Sequence, residues 1–125
     1  MLTLRVIDGT FKVCRFSADH TPPSNLLQLP FYNISRIGAE LSVVVPESFA
    51  LDCATVETGW AAMGVVGPLD FALTGILSRI AGVLASAEIS IFALSTYDTD
   101  YILVMQVDLQ NAVAALRSAD YTILD

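Results

Sequence analysis

Two short stretches of the chain carry residue types suited to binding a small charged molecule. The first, Gly67-Pro68-Leu69-Asp70-Phe71, reads as a turn at a helix start, where unpaired backbone N–H groups and the positive end of a helix dipole gather. The second, Ser95-Thr96-Tyr97-Asp98-Thr99-Asp100-Tyr101, reads as a turn between strands, rich in hydroxyls and carboxylates. A ligand carboxylate would sit on the N–H groups of Leu69 to Phe71, and an ammonium would meet Asp98, Asp100 and the Thr96 carbonyl. Together the two turns suit a zwitterion. Each also has a purely structural use: Asp70 is a good N-cap, and Asp98-Thr99-Asp100 shapes a turn. The Thr74 hydroxyl either reaches the space beside Asp70 or bonds back to its own helix.

Other chemistries lack their residues. His20 is the sole histidine and stands in a Pro-rich loop, where it is expected to be solvated; no Cys-His or Ser-His spacing, Gly-rich phosphate loop or metal-ligand cluster is present. The expectation is therefore no catalytic residues, no metal site and no cofactor. Cys14 and Cys53 lie far apart with no close thiol or histidine companions, so they read as two buried small hydrophobes, with no disulfide framework or zinc site legible.

With 125 residues, 54% of them hydrophobic, the chain can bury a core as one compact domain or two small ones. The net charge of −7 is uneven: residues 1–60 hold four Lys/Arg against six Asp/Glu, and residues 61–125 only Arg79 and Arg117 against seven. Nucleic acid is excluded as an expected partner, and a cationic or zwitterionic ligand is favoured beside the second half. Met1-Leu2-Thr3-Leu4-Arg5 does not read as a secretory leader, and no apolar run reaches membrane-spanning length; the expectation is a cytoplasmic protein with no membrane partner.

The elements that must position the two turns follow from periodicity and turn chemistry. Leu2 to Ile7 and Thr10 to Phe16 read as strands joined by the hairpin turn Asp8-Gly9. Asn25 to Leu29 gives one or two helical turns, Phe31 to Ile37 and Glu40 to Val45 are strands around Gly38-Ala39, Glu47 to Leu51 is a short helix behind Pro46, and Cys53 to Glu57 is a strand. Thr58-Gly59-Trp60 separates the halves. In the second half, Ala61 to Val66 is a strand and Asp70 caps a helix from Phe71 to about Ala87, with Ile76, Leu77, Ile80, Val83, Leu84 and Ala87 on one stripe. Strands Ile89 to Leu94 and Tyr101 to Val107 flank the second turn. Asp108 caps a helix carrying Leu109, Ala112, Val113 and Leu116, and Tyr121 to Leu124 is the last strand.

The second half is thus β-α-β-β-α-β, the ferredoxin-like arrangement with both helices on one face of an antiparallel sheet. The first half repeats this order with eroded helices behind an extra strand, Leu2 to Ile7. The fold class expected is α+β, tandem ferredoxin-like domains with antiparallel sheets and a degenerate first copy, bounded at 1–59 and 60–125. Strands Ile89 to Leu94 and Tyr101 to Met105 are apolar at nearly every position, so both sheet faces must be covered, by the first half, by a second copy, or by both. A homodimer is expected.

The run Gly67-Pro68-Leu69-Asp70-Phe71, Thr74-Gly75-Ile76-Leu77, Ile89-Ser90-Ile91-Phe92 and Ser95 through Val104 resembles the ACT domain. More narrowly it is similar to tandem ACT domains of small bacterial proteins and of cytosolic arginine-sensing proteins of animal cells, relatives of the regulatory domains of aspartate kinases. The resemblance covers roughly residues 60–120 and reaches the first half only through the order of elements. It implies a regulatory or sensory protein, not an enzyme, that binds a free amino acid between paired domains. Carried over residue by residue, the ligand-facing positions are Gly67, Leu69 and Asp70 with Thr96, Tyr97, Asp98 and Asp100. Asp100 is expected to hold the ammonium or guanidinium of the ligand, and the acidic second half favours arginine or lysine. The alternative is an ACT-fold interaction module that binds no ligand.

Overall fold

The computed structural model describes residues 2–67 and 74–125, and Leu69 and Asp70 lie outside the described residues. The fold is mixed α+β, in two compact units: Met1–Asp8 with Ala61–Asp125, and Gly9–Trp60.

In the first unit, strand β1 (Thr3–Val6) pairs antiparallel with the second half of a long strand defined below and parallel with the C-terminal strand, through Leu4↔Val65 and Leu4↔Ile123. The unit's other elements are helix α1 (Ile76–Ser86), strands β6 (Phe92–Ser95) and β7 (Asp100–Met105), helix α2 (Leu109–Ser118) and strand β8 (Thr122–Leu124). With residues 61–65 of β5 (Thr55–Val65), the sheet runs β8-β1-β5-β7-β6. Leaving β1 aside, this is a ferredoxin-like order, consistent with the ACT expectation. The N-terminal strand is therefore no appendage of the first half: it lies between β8 and β5, and its parallel pairing with β8 corrects the expectation of purely antiparallel sheets.

Both helices pack on one face of this sheet. Ile76, Ile80 and Leu84 from α1 and Ala112 and Leu116 from α2 join Leu4, Met63, Val65, Ile102 and Val104 in one buried cluster. Apart from Ala87, the exposed C-cap of α1, the stripes are those read from the sequence, with Leu77, Val83, Leu109 and Val113 partly buried against the cluster and Ser78, Arg79 and Ser86 exposed. Both helices end alike. The Ile89 N–H reaches the Leu84 carbonyl and the Tyr121 N–H the Leu116 carbonyl, each at 3.0 Å, after left-handed Glu88 and Asp120, and the residue beyond each turn returns into the core.

α1 starts later than expected. Its N-cap is Gly75 at φ +77°, so Thr74 stands before the helix and not in its first turn, and the expected start at Asp70 and Phe71 lies outside the described residues.

In the second unit the order is β3 (Asn33–Ile37), β4 (Glu40–Pro46), β2 (Phe11–Ser17), then residues 55–60 of β5. A 3₁₀ turn, Ser24–Gln28, contributes Leu26 to a small cluster of Cys14, Leu41, Val43 and Val45. The Asp8-Gly9 turn closes no hairpin: β1 and β2 each pair with a different part of β5 and not with each other. The expected helix Glu47 to Leu51 is instead a turn, from which the Glu47 carboxylate accepts the Gly59 N–H at 2.7 Å. Gly59, at φ +80°, sits in a bulge where β5 shifts register against Phe11 and Val13, so the expected break at 58–60 is an irregularity inside one strand.

Two further corrections concern side chains. Cys14 and Cys53 are disulfide-bonded, with Cα atoms 5.8 Å apart, because antiparallel pairing of Cys14 with Val56 brings the residues just before β5 beside β2. His20 is not a solvated loop residue; its ring stacks on Phe16 with centroids 4.0 Å apart.

Candidate functional site

The site is built by strand ends. β5 delivers Gly64 and Val65 and passes directly to Gly67, while β6 and β7 pair Ser95 with Asp100 and leave Thr96 to Thr99 as the connecting turn. The turn closes on itself: the Thr96 N–H donates to the Thr99 carbonyl at 2.8 Å, and the Thr99 N–H to Thr96 Oγ1 at 3.3 Å. Thr99 then ties the turn to β5, its hydroxyl donating to the Val65 carbonyl at 2.6 Å. That bond fixes the Asp98-Thr99 side of the turn next to the residues leading to Gly67.

Between them opens a cleft of ≈ 320 Å³, lined by Arg5, Gly64, Gly67, Asp98, Thr99 and Tyr101 among others. Its size lies at the lower end of small-molecule sites. The floor depends on a missing side chain. A Cβ on Gly64 would lie 2.8 Å from Tyr101 Cε1, so the Tyr101 ring covers the bare strand backbone. On the other side of Gly64, its direct β1 partner is Arg5.

The structure thus brings Gly67 and Asp98 to one cleft. Thr96, Tyr97 and Asp100 do not line it: Thr96 is engaged within its turn, Tyr97 is 81% exposed, and the Asp100 carboxylate accepts the Ser95 hydroxyl at 2.6 Å. Leu69 and Asp70 fall outside the described residues. Sequence reasoning missed Arg5 and Gly64. A glycine inside an apolar strand marks a close approach, but nothing local reveals that the N-terminal strand lies beside it.

Two larger clefts, of ≈ 560 and ≈ 520 Å³, flank the helices. The first has opposite charges in Arg117 and Asp125, but these meet each other at 3.9 Å, and Arg117 also donates to the Ile123 carbonyl at 2.9 Å. In the smaller cleft, Arg5 and Asp98 form no ion pair, with each other or with any other described residue. Charge availability, not volume, singles it out. Among the described residues no group of His, Cys, Asp and Glu could hold a metal ion, and no helix is long and apolar enough to cross a membrane.

Comparison with known proteins adds a family. Residues 55–118 match the ACT domain model. The chain is 32% identical over 107 residues to the human protein CASTOR3P, covering 75% of this chain and 65% of that one. It is 28% identical over 114 residues to the bovine cytosolic arginine sensor for mTORC1 subunit 1, covering 78% of this chain and 34% of the sensor. The chain therefore spans between about a third and two-thirds of the length of these two relatives. Among solved structures it is similar to protein Atu0741 from Agobacterium tumefaciens, with TM-score 0.88 and 31% identity over 98% of this chain and 92% of that one. It shares its fold with the aspartate kinase of Clostridium acetobutylicum, an allosteric enzyme, at TM-score 0.65 and 16% identity, over 88% of this chain and 33% of the kinase. One of these relatives is named as an arginine sensor, and the chain belongs to the ACT domain family.

Proposed function

We propose that this chain is an amino-acid-binding regulatory or sensor protein of the ACT type. The observation that carries the reading is the convergence of Gly67 and the Asp98-Thr99 turn on one cleft lined by charges of both signs that form no ion pair with a described residue. A cation in the lining suits a carboxylate, and a turn carboxylate suits an ammonium. The kinship with a protein named as an arginine sensor supports an amino acid over other zwitterions.

The finer parts of the proposal follow. The chain works in the cytoplasm as a homodimer, with the ligand at a domain–domain interface completed by the second copy. Residues 9–60 are a degenerate ACT-type copy whose helices have shrunk to the 3₁₀ turn and the turn after Pro46. Leu69, Asp70, Thr96, Tyr97 and Asp100 remain candidates for ligand contact from the same two turns. A sensor without a catalytic centre reports by changing its own shape or its partner.

The test is a thermal-shift screen against the twenty free amino acids. A ligand at a hundred times its Kd adds about 2.7 kcal/mol to stability, a shift of several degrees in a domain of this size. A rise with one or a few amino acids is expected. Silence across all twenty overturns the reading in favour of a ligand-free interaction module.

A further inference from the structure

The insertion of β1 between β8 and β5 does more than widen the sheet. It sets Arg5 directly opposite Gly64, the residue whose bare backbone forms the cleft floor under Tyr101. Arg5 and Asp98 are the charged residues among the described lining of the cleft. Neither makes an ion pair with a described residue, whereas Arg117 and Asp125 in the larger cleft satisfy each other. Two opposite charges lining one small cleft without meeting leave space for a molecule that carries both.

We infer that Arg5 and Asp98 hold the two ends of the head group of an α-amino acid with an aliphatic side chain. The inference rests on the amino-acid reading and narrows it to a ligand class. The Arg5 guanidinium matches a carboxylate in a planar, two-point contact, and the Asp98 carboxylate accepts the ammonium. What else lines the cleft is largely apolar: Ile7, Val66 and the Tyr101 ring, with the Val65 side chain turned into the core. A branched hydrocarbon side chain buries itself there.

A cationic side chain finds no second acid among the described lining and is repelled by Arg5. The acidic surplus of residues 61–125 favours a cation only as a distributed field, screened over roughly 8–10 Å at ordinary salt. At contact distance the described lining carries one charge of each sign, both used by the head group, and no third charge to meet a cationic side chain. This departs from the sequence expectation of arginine or lysine. The structural reason is the position of β1, which carries a charge from one end of the sequence into the acidic half.

The experiment is calorimetry of the full chain with L-valine, L-leucine and L-arginine as probes. Valine or leucine is expected to bind at least tenfold more tightly than arginine. Arg5→Gln should weaken the aliphatic probe at least tenfold and narrow the gap to arginine, and Arg5→Lys should recover part of the loss. Arg5 and Asp98 are both exposed, so these variants should melt like the parent, and Asp98→Asn supplies an independent loss of affinity. Arginine binding better than either aliphatic probe, or full affinity in Arg5→Gln, overturns the inference while leaving an amino-acid site in place. If the parent binds no amino acid at all, the inference falls together with the reading beneath it.

Discussion

The two units solve the same packing problem with different means. The unit of Met1–Asp8 and Ala61–Asp125 lays two amphipathic helices on a sheet and buries a large apolar cluster in doing so. The unit Gly9–Trp60 has a single 3₁₀ turn for cover, a much smaller cluster, and a disulfide within that cluster. A short segment with little helix to bury cannot gain much from area, and a covalent tie that restricts the unfolded chain substitutes for it. The cleft belongs to the first unit, where strand ends next to the larger core meet over a glycine floor that the Tyr101 ring covers.

If that contrast is right, the units should fail differently. The largest effect is expected from Leu84→Ala, which opens a cavity at a fully buried position in α1 and should cost about 3–4 kcal/mol in denaturant unfolding. In native-state hydrogen exchange the loss of protection should centre on β5 residues 61–65, β7 and the helices. Next is the Cys14→Ser and Cys53→Ser pair, which releases a 39-residue separation and should cost about 3 kcal/mol, with protection lost first in β2, β3 and β4. A strong reductant should reproduce the second pattern. Equal loss across both units from either change would erase the distinction drawn here.

A smaller effect sharpens the account of the cleft. Gly64→Ala places a methyl 2.8 Å from Tyr101 Cε1 and should cost about 1–2 kcal/mol by pushing the ring aside. Tyr101→Ala should absorb that penalty, so a double-mutant cycle is expected to show coupling between the two positions. Additive losses would mean that the ring does not rest on Gly64.

Much of this arrangement is legible in the residues. Apart from Ala87, the stripes of both helices are those of the core. Alternation and the 3.6-residue period report which face a residue takes. They do not report which strand lies next to it. That is why Asp8-Gly9, with the composition of a hairpin turn, carries the chain from one part of β5 to another, and why Arg5 was not connected with Gly64. The disulfide escaped for the same reason, since the partners are 39 residues apart and meet only through the pairing of β2 with β5. The late start of α1 had a local signal in Gly75, outweighed by the capping chemistry of Asp70. Of the two turn carboxylates, composition alone could not say that Asp98 lines the cleft while Asp100 is engaged by Ser95.

The central claim is that a free amino acid occupies the cleft of the first unit. Amide chemical shifts followed during titration of the full chain with the amino acid giving the largest thermal shift test it most directly. Perturbations are predicted to cluster at Arg5, Gly64 to Gly67 and Asp98 to Tyr101, with the strands of Gly9–Trp60 largely silent. Shifts concentrated in β2 to β4, or along the helices with the cleft residues unmoved, would contradict it.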